Sequence, residues 1–289
     1  MSKPPPLPMD APVWSEQDHA DLQMAHRILE RSSFANQVVN MLGAPIEKGL
    51  ELLPDKAHGV IIGATDKALR AALEVALKTL EKDRIAAARN TIHKLATATT
   101  GGVGGAFGWA SLPVELPIST TIMLRSIADV ARSQGEDLKQ PEARLACIEV
   151  FALGNKTKQE GSDASYIAIR ALLAQRVTEA AQYAAQKGVL DAASPPLTRF
   201  VAKVAERFSI TVTEKAAAVM VPAIGAVGGA IVNTYFTGFY QDMALGHFIM
   251  RRLERKFGQD VVQAEYLELD KAKGKKGKAK TLPKAADKG

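Results

Sequence analysis

The sequence predicts an all-α protein: a single multi-helix domain with two glycine-rich helical segments and disordered ends. Apolar residues recur at three- and four-residue intervals over long stretches, the spacing of one helix face. Strand-like alternation is scarce, and its best example, Val60-Ile61-Ile62, is too short to found a sheet. Aromatic residues make up only 6% of the chain, so alanine, leucine, isoleucine and valine must build the core, which suits closely packed helices.

Taken in order, residues 1–14 form a proline-rich arm, expected to be extended and mobile. Ser15 and Asp18 have the spacing of a capping box, and Leu22, Ala25, Leu29, Ala35, Val38 and Leu42 follow at helical intervals, with Gly43 as the stop. Thr65 is the expected cap of a second helix through Leu69, Leu73, Leu77 and Leu80, and a third is predicted over residues 84–98. Ser162 opens a long amphipathic helix with the stripe Tyr166, Ile169, Leu173, Val177, Ala180 and Ala184, ended by Gly188. Another helix follows Pro196, and a last long one runs from about Ile231 to Phe257. The domain is expected over residues 15–268, followed by a lysine-rich tail from 269 to 289 that should be disordered in isolation.

That tail explains the charge. From Lys271 to Gly289 it holds eight lysines and one aspartate, so the +6 of the whole chain leaves the body near −1. A basic nucleic-acid-binding face across the body is not implied, and the tail has no interleaved aromatics to stack on bases. It reads as a solubilising end, as an attraction to anionic lipid, or, most weakly, as an attraction to nucleic acid. One cysteine, Cys147, excludes an intramolecular disulfide and any multi-cysteine zinc site. The first residues carry no apolar run of signal-peptide length, so cytoplasmic residence is expected.

Two stretches carry no charge: Leu95–Val114, twenty residues, and Ala216–Gln241, twenty-six. Both have the length of a membrane span. Both contain small-xxx-small spacings, through Gly101 and Gly105, Gly104 and Gly108, and Gly225 and Gly229, which let two helix backbones approach closely. Gly101, Gly105, Gly108, Gly225, Gly228 and Gly229 are therefore the expected helix-packing glycines. The first stretch is threonine-rich and interrupted by Pro113; the second contains Pro222, Asn233, Thr234 and Thr237. Neither has the leucine-rich composition of a strongly inserting span, leaving buried helices and reversible membrane contact as the readings. GGVGGAFG lacks the Lys-Ser/Thr of a P-loop.

The stretch from Gly101 to Gly154 carries a glycine-rich run, Glu115 between Pro113 and Pro117, a helix with Arg125, a Gly135-Glu136-Asp137 turn, then Pro141, Glu142 and Arg144. Near the C-terminus Pro222, Gly225, Gly228, Gly229 and Asn233 precede a helix ending in Arg251 and Arg252. In order and spacing these motifs, covering most of residues 40–257, resemble the EcsC family. The resemblance implies a bacterial, helical protein working near the membrane, in a family named for a protein encoded beside an ABC transporter. It does not imply a reaction.

No catalytic residue, metal site or cofactor is expected. His19, His26, His58, His93 and His247 form no H-E-x-x-H or comparable pair, and no G-x-S-x-G is present. Cys147 lies in an apolar helix and reads as a buried, inert thiol. The best polar constellation is Glu115, Arg125, Asp129, Glu142 and Arg144, with Arg125 and Asp129 four apart and expected to pair. Asn233, Thr237, Tyr240, Ala244, His247 and Arg251 make a second stripe along the last long helix. A structural network and a ligand- or partner-binding site are the readings of both. The leading expectation is a non-enzymatic factor, cytoplasmic and peripheral at the inner face of the membrane, that meets an anionic membrane surface or a membrane-protein partner. The alternative is a hydrolase with its site near Glu115 and Glu142.

Overall fold

Ser15 and Asp18 open the first helix with the reciprocal bonds of a capping box: Asp18 N–H donates to Ser15 Oγ at 3.1 Å, and Ser15 N–H donates to Asp18 Oδ2 at 3.0 Å. The computed structural model describes residues 12–31, 33–43, 46–80, 108–154, 166–187, 192–221 and 228–280. Within them lie α1 (Glu16–Leu29), α2 (Phe34–Leu42), α3 (Ile46–Glu51), α4 (Asp55–Thr79), α5 (Leu112–Ser133), α6 (Pro141–Glu149), α7 (Tyr166–Lys187), α8 (Pro195–Met220), α9 (Gly228–Phe257) and α10 (Gln259–Lys280). Short 3-10 turns precede α5 (Gly108–Ser111) and follow α6 (Val150–Ala152). The fold is all-α, with no strand among the described residues.

Several boundaries differ from the expectation. Where the spacing predicts one helix from Leu22 to Leu42, the structure has two. Ser33 accepts the Asn36 N–H and starts α2 afresh, and Glu30 turns its carboxylate inward. Gly43 does end α2, at φ 64°, with its N–H on Val39 O. Thr65 is not a cap: α4 begins ten residues earlier at Asp55, and Thr65 is buried within it. The buried stripe Ala57, Ile61, Ala64, Ala68, Ala72 and Ala76 explains why, since it keeps helical phase through Val60-Ile61-Ile62. The predicted helix over 84–98, Ser162 and Gly188 lie outside the described residues. α10 continues to Lys280, into the stretch expected to be disordered. Alanine and lysine are good helix formers, and Val262 and Tyr266 anchor the helix in the core.

The helices align along one direction. Arg132, near the end of α5, donates to Leu80 O just past the end of α4 at 3.0 Å, and Arg144 NH1 donates to Leu77 O at 3.3 Å. Two arginines thus cap the C-terminus of α4, where its dipole favours cations, and α4 and α5 run parallel. Gln241 meets Ser126 at 2.8 Å and Arg251 meets Glu136, so α9 is parallel to α5. Arg31 pairs with Asp242 and Arg252 with Asp21, which makes α1 antiparallel to α9. α8 is antiparallel to α9 as well, with Lys215 beside Glu115 at one end and Arg207 donating to Ala152 O toward the other.

Two ends result. At one, the starts of α4, α5 and α9 meet α3 and the end of α8. At the other lie the start of α1, the ends of α4, α5 and α9, and α6. The core between them centres on aromatic residues of α9: Phe236, Phe239 and Tyr240 pack on Phe34, Phe208 and Phe151.

Candidate functional site

At the first of these ends, called here the glycine-rich end, Glu115 sits in the opening turn of α5. It comes directly after one uncharged stretch, and Lys215 comes directly before the other. Lys215 Nζ donates to Glu115 Oε1 at 2.8 Å, and Lys215 is only 2% exposed. Asn233 and Ser111 also hydrogen-bond the Glu115 carboxylate. Burial alone would raise its pKa, but the Lys215 charge and these bonds outweigh that and hold it below the usual carboxylate range. The Lys215 ammonium also lies 4.9 Å from the centroid of the Phe236 ring. On the neighbouring position of α8, Glu214 accepts from Ala35 N–H at 3.1 Å, yet burial pushes its pKa up to about 7.

At the opposite, charged end, Glu136 in the Gly135-Glu136-Asp137 turn takes a two-point contact from Arg251: Nε to Oε1 at 2.9 Å and NH2 to Oε2 at 3.1 Å. Arg255 reaches the same carboxylate. Glu142, 61% exposed, stands 3.5 Å from Arg251 NH1. Arg252 pairs with Asp21, and Lys256 Nζ with Asp18 at 2.7 Å.

Between the ends is a buried polar seam. The His247 ring meets the Tyr166 hydroxyl through Nδ1 at 3.0 Å, and its Nε2 is buried with no hydrogen-bond partner among the described residues. Burial and the nearby Arg170 and Arg251 charges lower its pKa well below the ordinary value, so it is neutral. Glu30 Oε1 accepts from Tyr166 N–H at 3.0 Å and from Tyr266 O–H at 2.9 Å. Arg170 pairs with Glu254, and burial raises the pKa of Glu149 beside them.

The constellation expected from sequence is therefore not one site. Glu115 lies at one end of α5 and Glu142 just beyond its other end, and α5 is about 33 Å long at the helical rise. The pair cannot act on one bond as acid and base. Arg125 and Asp129 do not pair: Asp129 binds Arg132 at 2.8 Å, and Arg125 Nε is buried without a partner among the described residues. Arg144 caps α4. The stripe on α9 is divided among Glu115 (Asn233), Tyr166 (His247) and Glu136 (Arg251), while the Tyr240 ring packs on Phe151, Phe208 and Phe236. Gly101, Gly105 and Gly225 lie outside the described residues; Gly108 starts the 3-10 turn, and Gly228 and Gly229 open α9. The tight approaches on view are at other glycines. A Cβ on Gly49 of α3 would stand 2.0 Å from Ala217 O of α8, and one on Gly246 of α9 would stand 2.8 Å from Leu29 Cγ.

Cys147 is fully buried, with its thiol pushed up to about 12 by burial. No group of three His, Cys, Asp or Glu side chains among the described residues could hold a metal ion. A groove of about 650 Å³ runs along the outer face of α4, but its Asp66–Arg70 and Glu74–Lys78 pairs neutralise one another, and neither Glu115 nor Glu142 lines it.

Sequence reasoning missed Lys215 and Glu136 as site residues. A signal existed for both. Lys215 and Glu115 are opposite charges bordering the two uncharged stretches, and Glu136 sits in the turn that carries the family resemblance. The motifs of the two halves of the chain meet pairwise, Glu115 with Asn233 and Glu136 with Arg251. A model of the EcsC protein family matches residues 19–253. The chain belongs to the EcsC protein family. The match takes in both ends of this EcsC fold, Glu115 with Lys215 and Glu136 with Arg251. No curated protein and no solved structure matches the chain significantly.

Proposed function

We propose that this EcsC-family chain is a non-enzymatic helical factor that works against a membrane. One observation carries the reading. Five of the large apolar side chains left exposed by the fold, Leu50, Leu52, Ile62, Val114 and Ile231, gather at the glycine-rich end, with Val114 71% exposed and Ile62 62%. Glu115 and Lys215, which border the uncharged stretches, are turned onto each other there, and the exposed charges of α3 and the start of α4 (Glu47, Lys48, Glu51, Asp55 and Lys56) nearly cancel. Patches of this kind on a folded body mark contact with a membrane or a membrane protein. Among the described residues no helix is long and apolar enough to cross a membrane, which favours contact from one side. The ionised groups that could serve chemistry are instead committed to joining helices: Glu136 to Arg251, Arg170 to Glu254, Glu115 to Lys215. The family, named for a protein encoded beside an ABC transporter, adds the expectation of a bacterial protein near the inner face of the membrane, linked to transporter function.

Flotation of purified protein with phospholipid vesicles tests the reading. Protein should rise with the lipid, and exchanging Val114 and Ile231 for serine should reduce the floated fraction without lowering the melting temperature. Protein that stays at the bottom with every vesicle composition would sink it.

A further inference from the structure

Gly258, at φ 91°, turns the chain out of α9 and into α10. Tyr266 then fixes the direction of α10. Its ring centroid lies 4.8 Å from that of His26 and 5.8 Å from that of Tyr166, and its hydroxyl binds Glu30. Leu29, beside Glu30, covers Gly246, and Tyr166 binds His247. Tyr266 is therefore level with residues 246–247 of α9, and α10 runs antiparallel to α9. At the helical rise, the part from Leu267 to Lys280 extends about 21 Å further toward the glycine-rich end. From Lys271 to Lys280 that part holds six lysines and no acidic residue. The apolar end itself carries Glu47, Lys48, Glu51, Asp55 and Lys56, which nearly cancel. It has no strong attraction of its own for either sign of charge.

We infer that the apolar end docks on an anionic lipid bilayer, with α9 steep to the membrane plane and the lysine-rich half of α10 brought down to the lipid phosphates. Charge complementarity selects this occupant. A lysine-rich helix that runs toward an apolar end matches an acidic headgroup layer above hydrocarbon, where each lysine adds attraction that salt screens. The inference rests on the membrane reading and adds the lipid class and the orientation.

The buried Cys147 makes a clean test, since introduced cysteines then take a thiol-reactive probe alone. An environment-sensitive fluorophore is placed on Val114→Cys, Ile231→Cys and, at the charged end, Glu142→Cys, all exposed positions. Each protein is mixed with phosphatidylcholine vesicles with and without phosphatidylglycerol, at low and high salt. Emission at Val114→Cys and Ile231→Cys should shift to the blue with phosphatidylglycerol, partly reverse at high salt, and stay unchanged at Glu142→Cys. Changing the six lysines from Lys271 to Lys280 to glutamine should weaken this binding by about tenfold or more. Binding with the shift at Glu142→Cys would overturn the orientation and leave the membrane reading standing. Equal binding to both vesicle types, or no loss in the glutamine variant, would overturn the lipid class. No binding to either vesicle would remove both the inference and the reading beneath it.

Discussion

Glu136 and Glu115 are both half-buried carboxylates that tie α9 to another part of the fold, but they are supported differently. Glu136 has two arginines, one of them at the half-exposed rim, and its neighbourhood is continued outward by Arg252–Asp21 and Lys256–Asp18. Glu115 has one lysine, itself buried, and the surface at that end mixes exposed apolar side chains with charges of α3 and α4 that nearly cancel. The charged end is redundant and faces water. The glycine-rich end relies on one pair and presents Val114 and Ile231. A pair with one buried counter-ion is costly to break, because the survivor keeps a charge largely withdrawn from solvent and without its opposite, whereas a rim pair loses little.

The largest expected effect tests that asymmetry directly. Lys215→Met should destabilise the protein by about 3–5 kcal/mol in urea denaturation, by stranding Glu115. Adding Glu115→Gln should recover most of the loss. If Arg255→Ala at the charged end costs as much as Lys215→Met, the comparison fails.

The second effect concerns packing at the same end. Gly49→Ala forces a methyl group to within 2.0 Å of Ala217 O, so α3 and α8 must separate. Overpacking of this kind costs about 1–3 kcal/mol. Gly59→Ala, with nothing within 4 Å of its added carbon, should instead stabilise by about 0.5–1 kcal/mol through helix propensity. Opposite signs in a thermal melt are the expected result; no loss at Gly49→Ala would show that α3 and α8 are not in close contact.

Acidity separates Glu115 from Glu214. The lowered pKa of Glu115 means that its stabilisation is present above the ordinary value of 4.5 and fades as pH falls through the folded value. Glu214, raised to about 7, works the other way: its contribution is present below the ordinary 4.5 and is lost as pH rises toward 7. Glu214→Gln should therefore raise the melting temperature above pH 7, by a few degrees for about 1 kcal/mol, with little change at acid pH. A gain that is the same at both would mean burial does not control this group.

The smallest effect belongs to Glu142. As an exposed partner 3.5 Å from Arg251, it should tolerate Glu142→Gln within about 0.5 kcal/mol. A loss as large as that of Glu115→Gln in parallel melts would place the two carboxylates on one footing and erase the contrast.

What could be read from sequence follows from range. The Ser15–Asp18 capping box and the Gly43 stop were legible because each is a bond between residues three or four apart. The all-α class was legible because helical spacing repeats along the chain. Thr65 misled because threonine is a good cap in isolation; the alanine stripe that carries α4 past it acquires meaning only against α5. Arg125 and Asp129 share a face, yet Arg132 takes the carboxylate because it is also drawn to Leu80 O, a carbonyl 52 positions away. The α9 stripe was visible as a stripe, but its division among three different polar partners was not.

By itself, then, the sequence determined the helical class, the Ser15–Asp18 capping box and the Gly43 stop, the uncharged stretches and the concentration of lysine near the C-terminus. These are properties of neighbouring residues and of composition. Only the tertiary structure decided that Lys215 answers Glu115 and that Glu136 answers Arg251. It alone set Leu50, Leu52, Ile62, Val114 and Ile231 at one end and ran α10 toward that end. Each of those depends on the direction in which packed helices run, and that direction is set by contacts between residues 100 or more positions apart, such as Lys215–Glu115 and Tyr266–Glu30, which no local pattern records.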